Sequence, residues 1–407
     1  MRVLLVNQFY PPDPAPTGQF LQDLASSLVR RGHAVRVLCS RQWYSEERRR
    51  QARHDDGDVD VRRLRAFGFG RGTKVGRVID YLSFYVMATV HALFGPRPHV
   101  VVCLTTPPYI GFVGLALRLF RGTRFIQWVM DLYPDAMIAH GMVRDGSATC
   151  RLLRWLTSRL FRGADLIWAL GPFARDRILI YLPAGSSEKV RTIPLWADVS
   201  LKPLRPDDNA LRDEYGCNGR FAVMYSGNMG LGHEFDTFIE AATRLQGEPG
   251  IVFVFVGGGT RAVEVQRKVK EYALPNVVFR PYAPRERLGE SLSTGDVHIL
   301  SQLCEWQGSI VPSKLAGIFA AGRPAIFVGG DQNEISTWIR EAQAGYVVPI
   351  GDSRGLVQAI EHLYSNLDFR RRLGSNARAF YERRLAPEVN IPKLVELVEL
   401  VAQTSNR

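Results

Sequence analysis

The chain is short of cysteine, and its five, Cys39, Cys103, Cys150, Cys217 and Cys304, are widely spaced with no C-x-x-C pair. An odd, scattered set excludes a zinc finger, a thioredoxin-like motif and a disulfide framework, and fits core thiols kept reduced. An uninterrupted apolar run of about 18 residues, the least that spans a bilayer as a helix, is also lacking. The nearest approach, residues 75–94, is broken by Arg77, Asp80 and His91. This disfavours an integral membrane protein and leaves a peripheral one open. The N-terminus lacks the long apolar stretch and small-residue cleavage site of a secretory leader. Met1-Arg2 is followed by only Val3–Val6 and then Asn7, which reads as a first strand of a cytoplasmic protein. Zinc spacing, a helix-turn-helix pattern, an aromatic-rich RNA motif and solenoid repeats are all missing, so a nucleic-acid partner is not expected.

What is present is a globular chain of 407 residues, 46% hydrophobic and 23% charged, long enough for two domains. The net charge of +12 is unevenly placed: residues 1–200 hold 28 basic and 16 acidic residues, whereas 201–407 hold 24 of each. By charge alone this points to a polyanionic partner for the first half, nucleic acid, an anionic membrane or a phosphorylated substrate, and the missing motifs rank nucleic acid last.

Short β-branched runs alternate with helical patterns, predicting parallel sheets covered by helices. In the first half the runs are Val3–Asn7, Ala34–Cys39, Val100–Leu104, Arg124–Val129, Leu166–Leu170 and Val190–Pro194. In the second they are Phe221–Tyr225, Ile251–Val256, Val277–Arg280, Val297–Leu300 and Pro324–Val328. The polar stretch Lys202–Asn209 reads as a linker, giving domains over 1–200 and 201–385 with a C-terminal helix over 386–407 that packs across its neighbour. Two open α/β domains of similar size place their strand carboxyl ends around one cleft, where chemistry is to be sought.

Three loops of the second domain stand out. Ser226-Gly227-Asn228-Met229-Gly230-Leu231-Gly232 lies between strand and helix, where exposed amides fit a diphosphate or simply make a turn. Gly257-Gly258-Gly259-Thr260-Arg261-Ala262 formally matches a dinucleotide pattern, but without an acidic ribose ligand about twenty residues on. In the third, Val311-Pro312-Ser313-Lys314 opens a small-residue helix ending at Gly322-Arg323-Pro324. Backbone donors, a hydroxyl and a cation there suit a leaving phosphate, against the plainer reading of a helix start with a solvated lysine.

In the first domain the stiff loop Pro11–Pro16 ends near Gly18 at a helix start, and Asp131-Leu132-Tyr133-Pro134-Asp135 follows a strand. These carboxylates suit orientation of a hydroxyl, or capping around Pro134. Asp56, Asp58 and Asp60 resemble paired metal ligands but lie in a charged stretch, which reads as a solvated loop with no metal. His33 and His298 read as structural. His233, just past the glycine-rich loop, suits donation to a phosphate or sugar hydroxyl with a charge responsive near neutral pH, or helix-start hydrogen bonding.

Together the Tyr10-Pro11-Pro12 loop, Arg31-Gly32-His33-Ala34-Val35, Tyr225-Ser226-Gly227-Asn228, Phe255-Val256-Gly257-Gly258-Gly259, Pro312-Ser313-Lys314-Leu315 and Ala320-Ala321-Gly322-Arg323-Pro324 resemble the retaining glycosyltransferases of family four, over essentially the whole chain. The resemblance implies the GT-B architecture: two Rossmann-like doubly wound domains facing across a cleft, with the C-terminal helix returning to the first. It implies a nucleotide diphosphate sugar, used as substrate with no cofactor, held by the second domain. Gly18, Gly227, Asn228, Gly230, Gly258, Val311, Pro312, Ser313 and Lys314 would bind that donor, with Tyr282 near its base. Two glutamates usual in the family are Ser309 and Gly317 here; P-S-K-L with a non-acidic residue at 317 is similar to its colanic-acid and amino-sugar-transferring branch.

The expected reaction passes a hexosyl or N-acetylaminosugar group to a polyprenyl diphosphate-linked or other surface-glycan acceptor, for O-antigen or exopolysaccharide, with retention and without a metal. Lys314 and the loop amides would stabilise the leaving diphosphate, and Asp131 and His233 would orient or supply charge. The basic half then suggests peripheral docking on the inner face of the cell membrane through Arg48–Arg50, Arg62, Arg63, Arg151, Arg154 and Trp155, against ordinary solvated arginine. A nucleotide-sugar epimerase of the same two-domain plan is the alternative, with an NADP oxidoreductase or nucleic-acid-binding protein behind it.

Overall fold

The computed structural model describes residues 1–13, 15–41, 57–65, 74–197, 201–311 and 313–403. The chain forms two compact units, one of Met1–Pro194 with the chain from Asn390 on, the other of Leu195–Val389.

Unit 1 carries strands β1 (Arg2–Val6), β2 (Ala34–Ser40), β3 (Asp60–Leu64), β4 (Val100–Cys103), β5 (Arg124–Trp128), β6 (Leu166–Ala169) and β7 (Val190–Thr192). Among the described residues they make one parallel sheet in the order β3-β2-β1-β4-β5-β6-β7. Its helices are α1 (Pro16–Arg30), α2 (Lys74–Phe94), α3 (Phe112–Arg121), α4 (Asp135–Ala139), α5 (Ala148–Gly163) and α6 (Pro172–Leu179). The central strands are apolar without alternation because both faces are covered: all of Val100–Cys103 is buried. Helix α1 starts on Pro16, buries Leu21, Leu24 and Leu28, and stops before Gly32, whose φ of +80° reverses the chain.

Unit 2 carries β8 (Phe221–Ser226), β9 (Ile251–Val256), β10 (Val277–Arg280), β11 (Val297–Gln302), β12 (Ala325–Gly329) and β13 (Gly345–Val348). They pair in parallel in the order β10-β9-β8-β11-β12-β13. Helices α7 (Leu211–Glu214), α8 (Asp236–Arg244), α9 (Ala262–Glu271), α10 (Leu288–Thr294) and α11 (Lys314–Ala320) precede α12 (Glu334–Ala342), α13 (Ser353–Ser365) and α14 (Leu367–Phe380). The core centres on Tyr225, Phe235, Phe238, Phe253 and Phe255, all essentially buried.

The last helix, α15 (Pro387–Gln403), enters unit 1, where Glu399 meets His33 Nε2 at 2.7 Å beside the end of α1. His33 is thus structural. So is His298, buried in β11 with Nε2 on the Leu292 carbonyl at 2.8 Å.

Two strands escape the sequence reading, and both are sheet edges. β13 has only Tyr346, Val347 and Val348 after its opening Gly345, whose φ of +155° is unlike a strand's. β3 was read as a charged loop and a basic cluster. Asp60 instead opens β3 and pairs with Arg36 at 2.6 Å and Arg62 at 2.7 Å. Arg63 donates to the Pro11 carbonyl at 2.8 Å. One face of an edge strand tolerates such charge, which hides its period. Arg48–Arg50 and Asp56 lie outside the described residues. The stretch Lys202–Asn209 falls inside unit 2, whose first residue is Leu195.

Candidate active site

In each sheet the connections run opposite ways from a central pair of strands, and ligands of such sheets bind beyond the strand carboxyl ends at that switch point. In unit 2 the pair is β8 and β11. The loop after β8 holds Gly227–His233, and the loop after β11 leads to Lys314, so topology alone brings these two sequence candidates together.

Their contact is direct. Lys314 Nζ donates to the Tyr225 hydroxyl and to the Asn228 carbonyl at 3.0 Å, and lies 4.3 Å from the centre of the Tyr225 ring. It also lies 3.0 Å from His233 Nε2. Burial pushes the Lys314 ammonium down to about 7, so the free enzyme holds it balanced between charged and neutral forms at physiological pH. Gly227 is favoured by its backbone conformation and lies close under the lysine. Its φ is +126°, and a Cβ there would lie 2.8 Å from Lys314 Cε.

His233 differs from the sequence reading. Its Nδ1 sits 2.6 Å from the Ser301 carbonyl, and only an N–H can donate to that oxygen. The neutral ring therefore presents a lone pair at Nε2, which accepts from Lys314. Burial first, and the Lys314 ammonium second, push its pKa down to about 3. It is neither a donor to phosphate nor a switch near neutral pH; it is an acceptor that aims the lysine.

The triple-glycine loop has a packing role that the dinucleotide pattern does not anticipate. Met229 N–H donates to the Gly258 carbonyl at 2.6 Å, and Arg261 N–H to the Met229 carbonyl at 3.0 Å. A Cβ on Gly259 would lie 2.4 Å from Asn228 Oδ1, and one on Gly257 2.3 Å from the Gly227 carbonyl oxygen. The space a pyrophosphate would take is filled by the neighbouring loop. Gly258 and Gly230 are less constrained, with nearest neighbours at 3.6 and 3.1 Å. Tyr282, half exposed, donates to the Gly258 carbonyl at 3.2 Å. Val311 is buried, Ser313 is exposed and caps no amide, and Pro312 lies outside the described residues. The Ser313 hydroxyl is thus not used by its own helix, and Lys314 is the side chain of that loop that meets the glycine-rich one.

Sequence reasoning assigned no role to Tyr225, Arg261 or Trp306. Tyr225 is the last aromatic of β8, and its position just before the glycine loop was the available signal. Arg261 donates to the His233 carbonyl and to Glu264 at 2.9 Å, fastening the back of the site. Trp306 packs where a Cβ of Gly232 would be, 2.8 Å away.

In unit 1 the switch point lies between β1 and β4. Asp131 follows β5, next to β4. The Thr105 hydroxyl accepts from the amides of Met130 at 3.2 Å and Asp131 at 3.0 Å, fixing the turn. The Asp131 carboxylate accepts no hydrogen bond among the described residues, and burial pushes its pKa up to about 6. It borders a cavity of about 20 Å³ with Thr105, Tyr109, Gln127 and Tyr133, room for one water. Capping is not its role, since α4 has no side-chain cap. Asp135 is structural, accepting from Arg177 at 2.9 Å and from the Tyr181 hydroxyl.

Gly18 is buried, and a Cβ there would meet the backbone of Phe9 and Tyr10 at 3.1 Å. The packing of the loop on its own helix accounts for this glycine without a ligand. On α5, Arg154 pairs with Asp145 at 3.1 Å, Arg151 donates to the Gly146 carbonyl at 3.4 Å, and exposed Trp155 lies under Arg159. Arg62 and Arg63 are engaged on β3, as above.

Two doubly wound parallel-sheet units in one chain define the GT-B fold. Within that class, residues 17–196 match the model of the glycosyl transferase 4-like domain and residues 220–366 that of glycosyl transferases group 1. The chain is a glycosyltransferase that pairs these two domains. It is 23% identical to WcaI of Escherichia coli (strain K12), named for glycosyl transfer in colanic acid biosynthesis, over 82% of this chain and 85% of that one. Among solved structures, Anabaena HepE in complex with UDP superposes with a TM-score of 0.74 at 14% identity, covering 98% of this chain and 100% of that one. Sucrose-phosphate synthase from Thermosynechococcus elongatus does so with a TM-score of 0.77 at 18% identity, covering 99% and 100%.

Proposed function

We propose that this glycosyltransferase moves a hexosyl or N-acetylaminosugar group from a nucleotide diphosphate sugar to a polyprenyl diphosphate-linked or other surface-glycan acceptor, with retention and without a metal. The observation that carries the reading is the enclosed Lys314 ammonium beside the Gly227–Gly230 loop at the β8/β11 switch point. The names of two similar proteins lend support, HepE for its complex with UDP and WcaI for colanic acid.

The chemistry follows from charge. The bond between the anomeric carbon and the diphosphate oxygen breaks, a bond from the acceptor oxygen to that carbon forms, and the acceptor proton passes to the leaving phosphate. Negative charge grows on the diphosphate, where a pre-aimed ammonium and loop amides stabilise it more in the transition state than in the bound donor. Gly227, Asn228, Gly230, Gly258, Val311, Ser313 and Lys314 form the donor subsite, with Tyr282 near the base. Unit 1 takes the acceptor, with Asp131 orienting its hydroxyl, at the inner face of the membrane.

A thermal-shift screen of UDP-, GDP-, dTDP- and ADP-sugars tests this: one class raises the melting temperature, and Lys314→Ala abolishes the rise. Stabilisation by NADPH alone overturns it. Isomerisation of a nucleotide sugar with no acceptor present makes the protein an epimerase.

A further inference from the structure

Residues 81–130 contain no aspartate or glutamate, an acid-free run of fifty positions bounded by Asp80 and Asp131, yet they hold Arg97, Arg118, Arg121 and Arg124. A surface helix of a globular protein normally turns charged residues to solvent. Helix α2 does the opposite over its last fourteen residues, Tyr81–Phe94, where the sole ionisable groups are the tyrosine hydroxyls and His91. Leu82, Val86, Val90 and Phe94 recur every four residues, so they lie along one side, and they are 58%, 60%, 43% and 85% exposed.

The stripe continues onto α3. Arg121, in the last turn of α3, donates to the carbonyls of Leu93 and Gly95, the latter at 2.9 Å, and so ties the ends of the two helices together. Beside it Leu119 and Phe120 are 70% and 77% exposed. Exposed Arg97 reaches the Gly122 carbonyl at 3.4 Å at the same end. The result is an exposed apolar surface with Arg97 and Arg121 at one end and no acidic residue of its own on α3 or on the last fourteen residues of α2. Asp165, paired with Arg118 and with Arg124 at 3.0 Å, is the acidic group near it among the described residues.

We infer that the outer side of α2 and the end of α3 form a face that seats on an anionic lipid bilayer. Apolar side chains entering the acyl boundary and arginines at headgroup level are the two contributions such docking needs, and the charge surplus of residues 1–200 matches a negative surface. A protein partner would match the apolar stripe but would not call for fifty residues free of acid. The assignment rests on the reading that this chain works at a membrane, and it moves the contact from α5 to α2 and α3.

The test is flotation of the full chain with vesicles of phosphatidylcholine alone or mixed with phosphatidylglycerol, at low and high salt. Binding is expected only to the mixed vesicles and to weaken with salt. Val86→Glu with Phe120→Glu should lower it by more than about tenfold. Val263→Glu, an equally exposed site on α9, should leave it unchanged. Arg151→Glu with Trp155→Ala is the rival pair. Melting temperatures show that each variant is folded. Unaltered binding by the Val86/Phe120 pair, loss with the rival pair alone, no preference for anionic lipid, or a dimer broken by Val86→Glu would each overturn the inference. Because lipid binding is read without donor, failure here leaves sugar transfer untouched, and the reverse also holds.

Discussion

The ionisable groups at the two switch points are held in contrasting ways. In unit 2 Lys314, Tyr225 and His233 are locked to one another, and each nitrogen or oxygen that approaches the ammonium has a second anchor: Tyr225 on the Asn228 carbonyl at 2.8 Å, His233 on the Ser301 carbonyl. In unit 1 the backbone of Asp131 is fastened by Thr105 while its carboxylate meets no donor among the described residues. The charge differs as well, since the first 200 residues carry the whole surplus. The contrast teaches that one unit is finished before its ligand arrives and the other leaves a hydrogen-bonding group for the ligand to satisfy. Under the proposed function, the preorganised cluster would serve the leaving diphosphate and the Asp131 carboxylate the acceptor hydroxyl.

Replacing Lys314 with alanine would break the finished side, and the largest effect is expected there. Turnover should fall by about a hundredfold to a thousandfold, the loss typical of one transition-state donor. The melting temperature should hold or rise, because an enclosed ammonium is removed. Steady-state kinetics alongside thermal unfolding check both, and retained turnover would end the assignment.

The next effect is on pH. Lys314 titrates near 7 in the free protein, below its ordinary 10.5, and a bound diphosphate favours the ammonium and raises it. Donor affinity should therefore be level below pH 7, where the lysine is already charged, and fall by up to about tenfold per unit above it, where binding must take up a proton. Calorimetry in two buffers of different ionisation enthalpy measures that proton directly. His233, pushed down to about 3, adds no limb in this range.

The smallest effect tests the unfinished side. Asp131→Asn keeps the shape and removes the charge, and should raise the acceptor KM about fivefold, the worth of a net ~1 kcal/mol hydrogen bond, while donor-induced stabilisation stays as in the parent. Burial holds the Asp131 carboxyl at about 6, above its ordinary 3.8, so the parent should lose acceptor efficiency as pH falls through 6 and the variant should not. A shared pH limb would remove Asp131 from the acceptor side.

Much of this was legible residue by residue. The buried runs Ile251–Val256 and Val100–Cys103 announce strands because a doubly covered parallel strand has nothing polar to show. Gly227 and Lys314 were both named from their places after strands. What stayed hidden involved partners far apart in the chain. The Tyr225 hydroxyl lies 89 positions from Lys314, and Ser301, which decides the tautomer of His233, lies 68 positions from it. Gly18 and the triple glycine misled for the same reason: a glycine looks alike whether it admits a phosphate or a neighbouring backbone.

The amino-acid order by itself determined two α/β halves, the loops that matter, and the cation among them, since period, turn residues and charge are local properties written along the chain. Only the tertiary structure decided that His233 accepts rather than donates, that Arg62 and Arg63 belong to an edge strand, and that an acid-free stretch turns its apolar side outward. Those are questions of which groups are desolvated together, and desolvation is set by the packing of residues distant in sequence.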